Sequence, residues 1–402
     1  MELLLIVAGA AMASPLALAL PARRWRGALL ALAPAGMFAW LWTLADRAAA
    51  EEPAEWSAEW VPSLGIALAF RADGLSLLFG LLITGIGALV LVYAEAYMAG
   101  KPGAGRLQAT LLAFMAAMLG VVFADDAVTL FAAWELTSVT SFLLISFEGE
   151  KLKARKAAVQ ALLVTGAGGL ALLAGLILLG QVAGTYRLSE MAAAGGVIRA
   201  DGLYHGALLL VLAGAFTKSA QVPFHFWLPG AMAAPTPVSA YLHSATMVKA
   251  GVYLLARMHP ALGGTEAWTG AVTAVGAGTL VVGAFVAWHE RDLKLVLAGT
   301  TVGALGMMTM LLGLGTDLAL KAVMVFVVGH ALYKGALFMA AGAIDHGTGT
   351  RVVDELGGLL RAMPWTFAAA AVGAVGLAGL GPVAAFIGKE AALEAAFDRD
   401  GA

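Results

Sequence analysis

The sequence predicts an all-α membrane protein of about 12 transmembrane helices, with inverted five-helix repeats and two broken helices. Three observations carry that expectation. Of 402 residues, 61% are hydrophobic and only 12% are charged, more apolar surface than a soluble domain of this length can bury. The apolar residues gather in runs near the ~20 residues that a spanning helix needs. The chain also holds 50 glycines, a composition suited to close helix approach in lipid. A net charge of −2 gives nucleic acid no electrostatic purchase. The absence of cysteine excludes disulfides and Cys-ligated iron–sulfur clusters.

In order, the runs fall near 1–20, 26–45, 72–98, 107–124, 126–147, 157–181, 205–227, 236–258, 266–288, 293–314, 318–343 and 364–397. The first is too long for a signal peptide and lacks its basic front end and cleavage pattern, so it reads as a retained helix. The last contains Gly379, Gly381 and Pro382 and reads as two half-helices. Run seven is broken in the same way by Pro223, because proline removes a helical hydrogen bond. Lys218 beside Pro223 and Lys389 after Pro382 stand five helices apart, the spacing of an inverted repeat.

Loop charges set the topology. Connections after odd-numbered runs hold Arg23, Arg24, Arg26, Lys101, Arg106, Lys151, Lys153, Arg155, Lys156, Arg291, Lys294, Arg351 and Arg361. The opposite side holds Arg47, Arg71, Arg187, Arg199, Arg257, Lys321 and Arg399. The richer side faces the cytoplasm by the positive-inside bias, which puts the N-terminus outside. Residues 46–70, with Glu51, Glu52, Glu55 and Glu59, then form an acidic external loop. The chain divides into residues 1–106, three N-terminal helices with that loop, and a core of helices over 107–402.

Lys218, Lys249, Lys334 and Lys389 fall inside apolar runs and in no loop. A lysine at the bilayer centre costs at least ~2.5–3.5 kcal/mol, and such residues usually mark ion pathways. Glu135 lies nine residues past Asp126, about 13 Å into the membrane at 1.5 Å per residue. A structural ion pair is the competing reading for Glu135, and snorkelling is the competing reading for the lysines. Lys249 sits far from either end of its run, which weakens snorkelling there. His330 and Lys334, at i and i+4, share a helix face and suit a proton relay rather than a metal site. His243 reads equally as a packing or a relay histidine, and His225 reads as a helix-end cap. Lys294 is balanced between a cytoplasmic anchor and a functional group. Asp125 and Asp126 read as a helix cap and a solvated loop. Nothing in the histidine spacing resembles a metal-ligand set, and no phosphate-loop pattern occurs. No cofactor is expected.

TKSAQVPFHFWLP, APTPVSAYLHSATMVKAGVYL, WELTSVTSFLLI, RDLKLVLA and GHALYKGALFM, together with the end of the last run, resemble the proton-translocating antiporter-like subunits. These occur in respiratory complex I, membrane-bound hydrogenases and Mrp-type antiporters. HFWLP, SAYLHSATMVKAG and DHGTGTRVVDELGGL at 345–359 resemble the Mrp A subunit in particular. The resemblance implies that Glu135 and Lys218 form a key buried pair, with Lys249 as central relay lysine and His243 as helper. It implies His330 and Lys334 as the onward path and Lys389 as the terminal lysine. It also implies Na⁺ or K⁺ exchanged for H⁺, small membrane subunits as partners in a bacterial plasma membrane, and no nucleic acid. The alternatives are a redox-driven translocase of the complex I or hydrogenase type, and a bicarbonate-energising or structural partner. Gly230 stands where the family usually has an acid, and Pro382 stands alone where two prolines are usual. The family core has more helices, so the chain is expected to be truncated at its C-terminus.

Overall fold

The computed structural model describes residues 1–21 and 25–397; Arg23, Arg24 and Arg399, which contribute to the charge asymmetry, lie outside them. Every apolar run contains helix. We label the main helices α1 (Glu2–Ala19), α2 (Arg26–Thr43), α3 (Gly74–Tyr97), α4 (Ala104–Phe123), α5 (Ala127–Ile145) and α6 (Leu152–Ala183). They continue as α7 (Tyr204–Lys218), α8 (Thr236–Ser244), α9 (Ala250–Leu262), α10 (Glu266–His289) and α11 (Leu293–Leu314). The last three are α12 (Asp317–Thr348), α13 (Pro364–Ala378) and α14 (Ala384–Phe397). Among the described residues, 9 helices are long and apolar enough to cross a membrane. The runs at 205–227, 236–258 and 364–397 are instead built from interrupted helices.

Local chemistry sets the helix ends. Asp73, Asp126, Thr265, Asp292 and Thr316 each turn a side-chain oxygen onto the free backbone N–H groups of the helix that follows. Gly184, Gly315 and Gly349 close α6, α11 and α12 in the left-handed conformation that glycine adopts without strain.

Residues 46–70 are not simply a loop. β1 (Ala54–Val61) pairs antiparallel with β2 (Ile66–Ala72), from Ala54 opposite Ala72 to Val61 opposite Ile66. The charges at Glu55 and Glu59 obscured an alternation in which Trp56, Ala58 and Trp60 take every second position. Strand β2 joins the bundle through Asp125 N–H to Ala69 O (2.9 Å) and Thr129 Oγ1 to Ala67 O (3.0 Å).

Helix packing follows a repeated order. α4 packs on α5, α5 on α6 and α6 on α7; further along, α10 packs on α11, α11 on α12 and α12 on α13 and α14. In each series the last member is interrupted at a proline, Pro223 after α7 and Pro382 before α14. Loops of like parity also meet. Lys101 Nζ reaches His346 Nε2 (2.9 Å) and Arg351 pairs with Asp292 (3.0 Å) at one end of the bundle. Arg257 binds Asp73 (2.8 Å) and Arg187 pairs with Asp125 (3.5 Å) at the other.

Candidate functional site

The interruptions deliver lysines into the interior. α7 ends at Lys218, and the chain turns through residues 219–223 into a short helix, Trp227–Ala231. Trp227 Nε1 donates to Thr217 O (3.0 Å), which ties the short helix back to the end of α7. The run at 236–258 is also interrupted, a feature the sequence reading lacked. α8 stops at Ser244, Thr246 leaves helical geometry, and a single turn, Met247–Lys249, leads into α9. Thr246 Oγ1 donates to Tyr241 O (2.7 Å), which Ala245 N reaches only at 3.5 Å, and Lys249 Nζ donates to Ser244 O, so side chains supply bonds to the carbonyls at the break.

Lys218 is fully buried on α7. Its ammonium donates to Thr137 Oγ1 (2.9 Å), Ser138 Oγ (2.8 Å) and Trp134 O (3.2 Å), and lies 4.9 Å from the Trp134 ring centroid. Glu135, half-buried on α5, comes within electrostatic reach of it but makes no ion pair at 4.0 Å or less. The contact pair implied by the resemblance is therefore separated in this conformation. The reason is geometric: Glu135 Oε1 is buried without a hydrogen-bond partner in a notch over Gly169 of α6. Lys218 is drawn instead to the hydroxyls one turn along α5.

Ser219 Oγ donates to Val248 O (2.6 Å), which joins the Lys218 segment directly to the Lys249 turn. Lys249, His330 and Lys334, all fully buried, lie within electrostatic reach of one another. Lys334 Nζ donates to Thr300 Oγ1 (2.6 Å) and Leu297 O (3.3 Å) on α11. Lys389 on α14 is half-buried, donates to Leu377 O (2.8 Å) at the end of α13, and lies within reach of Lys334. His243 and His330 are fully buried, and neither ring nitrogen of either has a partner among the described residues. The His243 ring lies between Trp227 (6.4 Å) and Phe338 (6.3 Å).

Three enclosed cations lie outside the set of four singled out by sequence, Lys294 and Arg26 buried and Arg257 partly so. Lys294, counted there with the loop charges, is 1% exposed and donates to Ala234 O (2.7 Å) and Met232 O (2.9 Å). It sits at the inner wall of a polar cavity of about 430 Å³ that Lys101, Asp345, His346 and Arg351 also line. Arg26 is buried against Glu95 (3.0 Å), and Arg257 is partly buried against Asp73. Their places at run ends hid them, since helix-end positions look solvated in sequence. Asp126 caps α5 as expected, but Asp125 is not solvated. It is 5% exposed and accepts from Ser189 N and Oγ, both 2.9 Å. Burial pushes its carboxyl above the ordinary range, against those bonds and Arg187.

Interrupted helices bearing a file of buried lysines define a multi-pass membrane protein built to hold charge inside the bilayer. The family model described as "NADH:quinone oxidoreductase/Mrp antiporter, TM" matches residues 124–401, and the chain belongs to that family. A second model, "NADH-Ubiquinone oxidoreductase (complex I), chain 5 N-terminus", matches residues 58–106. The chain is 51% identical over 332 residues to the A/B subunit of a probable K(+)/H(+) antiporter of Rhizobium meliloti, covering 83% of this chain and 33% of that protein. It is 46% identical over 346 residues to the A subunit of the Na(+)/H(+) antiporter of Alkalihalophilus pseudofirmus, covering 82% and 43%. The structure of the Mrp complex from Dietzia sp. contains a chain with a TM-score of 0.93 and 39% identity, covering 100% of this chain and 44% of that one. The chain thus spans between a third and under half of the curated relatives it matches.

Proposed function

We propose that the chain is part of a multisubunit monovalent cation/proton antiporter and carries protons along the buried file. The observation that supports this most is how the lysines are held. Lys218, Lys249, Lys334 and Lys389 are bound by carbonyl and hydroxyl oxygens, with no carboxylate of the described residues in contact. Neutral acceptors stabilise an ammonium less than an ion pair does, so gain and loss of a proton stay close in energy.

In this reading, approach or withdrawal of Glu135 changes how firmly Lys218 keeps its proton. The proton passes toward Lys249, then His330 and Lys334, then Lys389, with His243 as helper. The burial of His243 and His330 beside the lysines supports a relay role, since an imidazole can take up and release a proton near neutral pH. Inward proton flow drives export of Na⁺ or K⁺, with other small membrane subunits completing the cation path. The protein sits in a bacterial plasma membrane with its N-terminus outside, and residues 1–106 flank a translocating core over 107–402. A respiratory role is the second reading, supported by the wording of the two family models.

The test is sodium/proton exchange in inverted vesicles carrying the full set of subunits. Lys218→Ala is expected to abolish exchange at normal protein level. Exchange that survives it would remove the relay reading.

A further inference from the structure

The groups on α5 and α7 do not set their own separation, because α6 lies against both helices. On α6, Gly168 and Gly169 are consecutive and meet different partners. A Cβ on Gly169 would stand 1.9 Å from Glu135 Oε1 and 3.2 Å from Trp134 Cδ1. A Cβ on Gly168 would stand 1.8 Å from Thr217 Oγ1, on the residue before Lys218. Gly214 of α7 packs on the same spot, where an added Cβ would come within 3.1 Å of Gly168 O. The carboxylate and the lysine-bearing turn are thus seated on adjacent residues of one helix.

We infer that Gly168 and Gly169 of α6 form a saddle that positions Glu135 and Lys218 and holds them apart in this conformation. The inference rests on the proposed relay and deepens it. Both glycines are positioning residues, since they act through the side chains they admit. A methyl group at 169 evicts the carboxylate from its notch, and a shorter acid relieves the overlap. A shift of α6 alters the separation of the pair without either member changing its rotamer.

The experiment uses the complete antiporter in inverted vesicles, with exchange, its pH profile and protein abundance measured together. Gly169→Ala is expected to lower exchange by on the order of tenfold to a hundredfold, the scale of an ångström misplacement. Glu135→Asp in that background is expected to recover part of it. Gly175→Ala serves as a control, because its Cβ would meet Val211 N at 3.1 Å on the same α6–α7 seam, away from the pair. If Gly169→Ala fails to accumulate, the double variant Glu135→Asp/Gly169→Ala takes its place, since the shorter acid leaves the space that the methyl group occupies. Its abundance is expected to return toward that of the parent. No gain over Gly169→Ala alone overturns the inference, as does full activity of Gly169→Ala. Loss that Glu135→Asp does not relieve and that Gly175→Ala equals also overturns it, because ordinary helix packing then suffices. Failure of the relay itself shows separately, as activity retained in Lys218→Ala and Glu135→Ala.

Discussion

A buried ammonium must find acceptors, and in this protein the acceptors are oxygens with no charge of their own. Ser244, Leu377, Met232 and Ala234 offer carbonyls at helix ends, while Thr137, Ser138 and Thr300 offer hydroxyls. Thr300→Val keeps the shape of the site and removes the shorter of two bonds to Lys334. Exchange is expected to fall about tenfold at unchanged abundance, the effect of one lost hydrogen bond to a charged group. Unchanged exchange in the vesicle assay would mean that Leu297 O alone is sufficient. Which lysines are buried was legible because a lysine inside a long apolar run has no loop to occupy. Their partners were not legible, since a backbone carbonyl freed by a helix break has no residue signature. Lys294 was ambiguous for a related reason: three residues after Arg291 at a helix start, it looked like an anchor at the headgroups. Only the fold of 227–235 over α11 reveals its enclosure.

Among the elements, breaks caused by proline were readable and the break caused by tertiary bonding was not. Pro223 and Pro382 disrupt helices by covalent geometry, which acts wherever the residue stands. The interruption at Ala245–Thr246 has neither proline nor glycine, and side-chain bonds from Thr246 Oγ1 and Lys249 Nζ to the carbonyls of Tyr241 and Ser244 support it. Thr246→Val removes one of these donors and is expected to destabilise the purified protein by about 1–2 kcal/mol. A lowered thermal unfolding midpoint checks this, and an unshifted midpoint would mean that packing alone holds the break. The α10–α11 pair shows a different dependence. Added Cβ atoms at Gly276, Gly283 and Gly306 would come within 2.2–2.4 Å of backbone nitrogens on the facing helix. A side chain there cannot be absorbed by rotamer change, because its obstacle is backbone. Gly283→Val is expected to abolish detergent-extractable protein, whereas substitution at open Gly278 is expected to be tolerated; comparable yields would refute the close-packing argument.

At the scale of the whole molecule, one cluster ties the family's two matched segments together. Asp73 caps α3 through Ser76 N (3.0 Å) and is bound by Arg257 of α9, 184 residues away. Arg257 also donates to Tyr253 OH (3.1 Å), which in turn donates to Val122 O (2.8 Å) on α4. Burial pushes the Asp73 carboxyl upward, but the Arg257 bonds and charge, with the Ser76 bonds, outweigh it and hold it well below the usual carboxylate range. The sign of the resulting pH dependence follows. An unfolded aspartate titrates near ~3.9, so a depressed folded value adds stability that is complete above that pH and is lost as pH falls further. Asp73→Asn leaves the partly buried Arg257 charge without its counter-ion, at a cost of about 1–3 kcal/mol. Its deficit in thermal midpoint relative to the parent is therefore expected to be the same at about pH 5 as at about pH 8, and to shrink only below about pH 4. Thermal unfolding of the full chain in detergent across that range checks it. A gap that closes between about pH 7 and 5 would mean that the Asp73 carboxyl is raised in the fold, with burial outweighing the Arg257 bonds and charge.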